Sequence, residues 1–245
     1  MPDLPELGIE LSGVRKSFGS QAALQGIDLS IAQGSYVAVM GPNGAGKTTM
    51  LKIMAGLSAP TKGSVRVAGI EMRRAGPGLR RQVGFVSHES MLYHDLSAWE
   101  NLVFNAKLFE VARPEEVVTA VAERLDVAKH LQKPVRALSR GTRQRVAIAR
   151  AILHNPRVLL MDEPYTGLDE VAASSLSDLL IELHTPERTL IVTVHEVFRA
   201  LTGPERLVAI AGGKVALDRA IKGDEEDVTD AYRELLRVDS QGART

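Results

Sequence analysis

Several short stretches of the sequence carry residues whose types and spacing could do chemistry. The run Gly41-Pro42-Asn43-Gly44-Ala45-Gly46-Lys47-Thr48-Thr49 fits the pattern G-x-x-x-x-G-K-[ST] at every fixed position. Glycines there let backbone N–H groups converge on phosphate oxygens, and a helix opening behind them adds favourable partial charge. Lys47 is then placed to reach the β- and γ-phosphates, and the Thr48 hydroxyl to hold Mg²⁺. Farther on, "VLLMDEP" brings Asp162 and Glu163 out of an apolar run. Two adjacent carboxylates leaving a buried strand are costly unless a cation and water receive them. Asp162 would complete the metal shell and Glu163 would polarise an attacking water. His195 closes "LIVTVH" in the same manner. It is either structural or, on the same sheet edge as Lys47 and Asp162, a contact to the terminal phosphate.

The stretch "VGFVSHES" raises a separate question, because His88 and Glu89 also follow an apolar run. His88 can be read as a metal ligand, half of a His–Glu dyad, a core histidine or a relay between two parts of the molecule. Imidazole suits Mg²⁺ poorly, since that hard ion prefers oxygen. Acid–base work has better owners in Glu163 and His195, which leaves Glu89 no catalytic role.

The elements that must position these residues follow from periodicity. Gly8 to Lys16 and Ala23 to Ile31 alternate as half-buried antiparallel strands do. "SYVAVM" is a continuous apolar strand ahead of the Gly-rich turn, and "KTTMLKIMAGL" is the helix after it. "GSVRVAG" reads as a further hairpin strand, and residues 97 to 133 as helical. Ser97 and Glu100 have capping-box spacing, and Pro114 stands where it can open a second helix. Helices are expected near 139–153 and 170–183. Strands 36–40, 157–161 and 190–194 are apolar throughout, as in a parallel sheet covered on both faces. The pairs Arg73–Arg74 and Arg80–Arg81 read as a solvated face. Acidic "KGDEED" followed by "VTDAYRELLR" reads as a loop and a peripheral helix.

Bulk properties narrow the partners. Apolar residues make up 44% of 245 and charged residues 24%, ordinary for a globular chain with a real core. Lys+Arg and Asp+Glu are both 30, and a nucleic-acid-binding role would favour a basic excess. With no cysteine, disulfides and thiol chemistry are excluded. Met1 to Glu10 lacks a basic-then-apolar secretory pattern, and no apolar run approaches the ~18 residues of a membrane span. A membrane role therefore calls for a separate partner.

"LSRGTRQR", Leu138 to Arg145, stands just upstream of "VLLMDEP". With it, residues 8 to 215 resemble the ATP-binding cassette (ABC) ATPases, the nucleotide-binding subunits of ABC transporters. The resemblance implies an α/β fold: a P-loop NTPase with a mostly parallel core sheet, an N-terminal antiparallel β-subdomain and an inserted helical subdomain. Within one domain over 1–245, it implies a nucleotide-binding core with β-subdomain at 1–86 and 155–220. The helical subdomain then spans 87–154, and 221–245 is a peripheral segment. Phe18 falls where the family stacks an aromatic on adenine, although an aromatic in a turn can simply pack. Gly41 to Thr49 is the Walker A loop, and Leu138, Ser139, Arg140, Gly141 and Thr142 the signature that meets a partner's ATP. Asp162 and Glu163 are the Walker B aspartate and catalytic glutamate, Asp169 the D-loop and His195 the switch histidine.

The resemblance further implies ATP and Mg²⁺ as ligands, a homodimer sandwiching ATP, and separate transmembrane permease subunits. The chain would sit on the cytoplasmic face of the membrane through that permease.

Two positions depart from the family pattern. The signature usually reads LSGGQ, so Arg140 and Thr142 are atypical. His88 stands where the family has a glutamine beside Mg²⁺ and the water, at the hinge into the helical subdomain. His88 is accordingly read as a catalytic coupling residue in a glutamine's place. Together with "LYHDLSAWENL", these features resemble ATPases of haem-exporter type in cytochrome c biogenesis. A generic exporter of drug, lipid or polysaccharide is the alternative. A GTPase would carry N-K-x-D, which is absent, and a ribosome- or DNA-directed cassette would be tandem or split by long coiled coils. A cassette that binds ATP without turnover would tend to lack Glu163 and His195.

Overall fold

The computed structural model describes residues 7–72, 77–195 and 202–221. Arg73–Arg74 and the expected peripheral segment after residue 221 lie outside them. Two long strands, β1 (Leu7–Phe18) and β2 (Gln21–Ala32), pair antiparallel through a two-residue turn at Gly19. With β4 (Lys62–Val67) and β5 (Ile70–Glu71) they form a four-stranded sheet in the order β2-β1-β4-β5. The alternation read from the sequence is thus a sheet with one buried face.

The second sheet has the order β10-β9-β3-β8-β7-β6. Its strands are β3 (Tyr36–Met40), β6 (Val83–Val86), β7 (Val158–Met161), β8 (Thr189–Thr193), β9 (Arg206–Ala211) and β10 (Lys214–Ala220). All pair parallel except β10, which closes one edge antiparallel to β9. β9 and β10 are strands that the sequence reading did not identify.

Side chains alternate between the faces of a strand, so each of these strands serves two cores. Ala38, Met161 and Val192 point to one face, which packs on α3 (Ala98–Leu108), α4 (Pro114–Arg124), α5 (Arg140–Ile152) and α6 (Glu170–Leu183). Val37, Leu160 and Ile191 point to the other, which packs on α1 (Lys47–Met54) and the antiparallel sheet. Unbroken apolar strands are the signature of this two-sided burial. The helices between β6 and β7 have no core of their own, because Leu102, Val118 and Val146 belong to the cluster that covers the sheet.

Local signals set the helix ends. Ser97 Oγ accepts the Glu100 N–H at 3.1 Å, and Glu100 Oε2 accepts the Ser97 N–H at 2.8 Å, a complete capping box. Pro114 occupies the first turn of α4, and the helical run expected over 97–133 is interrupted between α3 and α4. A short helix, α2 (Pro77–Gln82), carries Arg80 and Arg81 on an exposed surface, where Arg81 pairs with Glu110. No described helix is long and apolar enough to cross a membrane.

Candidate functional site

Parallel strands gather their carboxyl ends on one sheet edge, and every cradle or carboxylate residue above lies there. β3 runs straight into the Gly41–Thr49 loop, and α1 opens at Lys47. Two glycines of the loop are sterically required. A Cβ on Gly46 (φ +107°) would stand 2.6 Å from the Ala23 carbonyl oxygen and 2.7 Å from Leu24 Cδ2. One on Gly41 (φ +148°) would collide with the Ile210 carbonyl of β9.

Lys47 is only 4% exposed. Its Nζ donates to the carbonyls of Gly41 at 2.7 Å and Pro42 at 3.0 Å, folding the ammonium over its own loop. Burial lowers its pKa below the ordinary lysine value, and the charges of Glu163 and Asp162 oppose that shift.

Strand parity explains the carboxylates. Asp162 continues β7 on the parity of Leu160, and Thr193 shares the parity of Ile191, so both face α1. There Asp162, 1% exposed, accepts hydrogen bonds on Oδ1 from Thr48 Oγ1 (3.1 Å) and Thr193 Oγ1 (3.0 Å). Its other oxygen, Oδ2, is buried with no hydrogen-bond partner among the described residues. A buried carboxylate oxygen without a partner is costly. Beside the Thr48 hydroxyl it forms an all-oxygen donor set that fits a hard divalent cation, completed by phosphate and water. No larger group of His, Asp and Glu able to hold a metal forms among the described residues.

Glu163 takes a left-handed backbone conformation, φ +52°, unusual for a residue with a side chain. Its N–H donates to Thr193 Oγ1 at 2.7 Å. Its Oε1 lies 2.7 Å from His195 Nε2, and Oε2 accepts from Thr166 Oγ1 at 3.4 Å. His195 is therefore half of a pair with Glu163, which the sequence did not foretell. Phe18, 56% exposed, stands on the rim of a cavity of about 270 Å³ lined also by Asn43–Thr49 and Glu163. Lys16 Nζ lies 4.9 Å from the Phe18 ring centroid.

The signature stretch does not line that cavity. Leu138 is buried. Ser139 caps α5, its Oγ accepting the Thr142 N–H at 3.2 Å and lying 2.8 Å from Thr142 Oγ1. Gly141 faces Ala172 of α6. Arg140 lays its guanidinium over Gly167, where a Cβ would overlap it. Asp169 caps α6, accepting the Ala172 N–H at 2.8 Å. His88 is 54% exposed, which removes the core reading. Its Nδ1 is 3.4 Å from Ser87 Oγ, and Glu89 is 4.0 Å from Nε2. His88, Arg140, Arg143 and Glu163 line one cleft of about 570 Å³ between α5 and the sheet edge.

Sequence reasoning missed Thr193, Thr166 and the contact of Arg140 with Gly167. A hydroxyl inside the apolar run "LIVTV" was the available signal for Thr193.

Residues 24–166 match the family model described as ABC transporter. The maltose/maltodextrin import ATP-binding protein MalK of Yersinia pestis is 37% identical over 211 residues, covering 85% of this chain and 57% of its own length. This chain thus spans little more than half of that relative. The phosphonates import ATP-binding protein PhnC of Rhizobium etli is 34% identical over 250 residues, covering 96% of this chain and 88% of its own. A dimeric ATP-binding cassette in a post-hydrolysis state with ADP and Pi superposes with TM-score 0.80 at 29% identity, covering 88% of this chain and 99% of that one. An ATP-binding subunit of an ABC transporter reaches 0.83 at 23% identity over 93% and 99%, a likeness of fold. By motif, sheet-edge geometry and these similarities, the chain belongs to the ABC transporter family, with the fold of its ATP-binding cassettes.

Proposed function

We propose that the chain binds ATP with Mg²⁺ and hydrolyses it, paired with a second copy of itself, to drive a separate membrane permease from its cytoplasmic side. The observation that carries this reading is the partnerless Oδ2 of buried Asp162 beside Thr48, at the mouth of the Gly41–Thr49 cradle. Bound Mg²⁺ would neutralise phosphate charge there, held by Thr48 and Asp162. Lys47 exchanges its loop carbonyls for the β/γ-phosphate oxygens, and the loop N–H groups of Asn43 to Thr49 hold the rest. Phe18 lies against the base. Glu163 accepts the proton of the attacking water, and His195 Nε2 holds its carboxylate in place until the terminal phosphate arrives.

Because Ser139, Gly141 and Thr142 stand away from the cradle of their own chain, their donors serve the ATP of the second copy. Asp169 and the loop before it lie at the junction. The helical segment 87–154 acts as the permease-facing subdomain on the core formed by 1–86 and 155–220. His88, across the cleft from Arg140, relays between the two.

The haem-export reading drawn from His88 and Arg140 finds no support in the relatives above, which are named for import. Those names favour an importer as the second reading, and permease genes beside this one would decide the cargo.

Phosphate release and sizing of Glu163→Gln test the reading. General-base catalysis contributes roughly 10²–10⁴-fold, so turnover should fall by that order while ATP brings the variant into a dimer. Undiminished turnover, or a variant that stays monomeric with ATP, refutes it.

A further inference from the structure

We propose that Thr193 is a positioning residue that sets both the metal-binding and the water-activating carboxylate; the proposal rests on the ATPase reading above. Thr193 is fully buried in β8, between Val192 and Val194, where an aliphatic side chain of the same shape would avoid burying a hydroxyl. Its single hydroxyl is used twice. Its hydrogen goes to Asp162 Oδ1 at 3.0 Å, and its oxygen accepts the Glu163 N–H at 2.7 Å.

The first bond acts on the metal side. Thr193 and Thr48 both donate to Oδ1, which fixes the rotation of the carboxylate and leaves Oδ2 as the oxygen without a partner. The second acts on the base. Glu163 holds a left-handed backbone, and the bond from its N–H to Thr193 pins that strained residue to the neighbouring strand. The same strand leads, two residues on, to His195, whose Nε2 holds the Glu163 side chain at 2.7 Å. One hydroxyl therefore fixes the spacing between the cation ligand and the base.

Thr193→Val keeps the shape and removes the hydroxyl. Groups that orient metal ligands are worth roughly 10–100-fold in metal affinity or activity. Paramagnetic titration of Mn²⁺ into the ATP-loaded chain in a Glu163→Gln background should show Mn²⁺ binding weakened by about that factor. With Glu163 intact, kcat should fall similarly while KM for ATP at saturating Mg²⁺ stays near that of the unmodified chain. Thr193→Ser should restore both, and the loss should not track the melting temperature. If the valine variant folds poorly, Thr193→Ala must show the same split. Valine that binds Mn²⁺ and turns over like the unmodified chain overturns the proposal, as does a loss that serine shares in full. If the chain with Thr193 intact takes up no Mn²⁺ with ATP, the ATPase reading itself falls and takes the Thr193 role with it. If that chain does so and valine equals it, only the Thr193 role falls.

Discussion

Replacing Gly41 by alanine tests whether the phosphate cradle is fixed by backbone contact with β9. Gly41 holds φ +148°, a conformation that costs a residue with a Cβ about 1–3 kcal/mol. The added Cβ would also collide with the Ile210 carbonyl oxygen, 3.1 Å from its carbonyl carbon and 3.4 Å from Ala45 Cβ. Both sides of this contact are main chain, so no rotamer change relieves it. Restoring van der Waals separation takes a shift of about 1 Å, and overpacking of this kind costs a further ~1–3 kcal/mol. The sum is about 2–6 kcal/mol.

Gly44 supplies the control. It also has positive φ, +80°, but a Cβ there meets nothing within 4 Å, so only the conformational part remains. Urea unfolding without nucleotide should therefore place Gly41→Ala at least about 1 kcal/mol below Gly44→Ala. The same ~1 Å displacement at the mouth of the cradle should cost on the order of 10²-fold in turnover at 25 °C. Equal stability of the two variants, or turnover by Gly41→Ala close to that of the unmodified chain, refutes the argument.

Two further outcomes are expected. His154 stacks on Phe109 (4.0 Å between centroids, 7°) and donates from Nε2 to the Val83 carbonyl at 3.2 Å. Burial lowers its pKa, with the charges of Arg150 and Arg188 adding to that and the Val83 bond opposing it. The unfolded chain thus binds a proton near pH 6.5 that the folded chain refuses. The stability is present above that pH and is lost as pH falls through the folded value. His154→Phe should flatten the fall in unfolding free energy between about pH 7 and 5, by up to ~1.4 kcal/mol per pH unit. Identical slopes would show that folding leaves the proton affinity of His154 unchanged, and would refute the effect of its burial. His88→Gln, at an exposed position, should leave stability within about 0.5 kcal/mol but change ATP turnover or its response to the permease. Unchanged turnover and response would remove the relay role.

The cradle, the two carboxylates and His195 were legible because each combines a fixed residue pattern with an apolar strand that points it at one sheet edge. Ser97 and Pro114 were legible as helix-end signals, which are local. β9 and β10 were missed: "RLVAIA" is a short apolar run, and such a run does not by itself tell a strand from a buried helix. α2 has six residues, too few to show a helical period. The pairing of His195 with Glu163 and the two bonds of Thr193 depend on lateral register between β7 and β8, 31 residues apart at Asp162 and Thr193. Register across a parallel sheet leaves no mark in local spacing. The exposure of His88 is likewise a tertiary property, set by how α5 stands off the sheet edge.

The dealing of alternate side chains to two different cores makes each central strand a reading frame. One residue inserted or deleted within β7 would swing Asp162 to the side of the sheet that packs on α5 and α6 and leave Thr48 facing a hydrocarbon. The same change in β8 would strand Thr193 away from both carboxylates. An extra residue between α3 and α4 only lengthens a surface turn. Substitutions can thus tune this site gradually, whereas a change of length in its strands abolishes it in one step. Libraries of single-residue insertions should reveal the four inner strands of the six-stranded sheet, β9, β3, β8 and β7, as frame-locked segments beside length-tolerant surface turns.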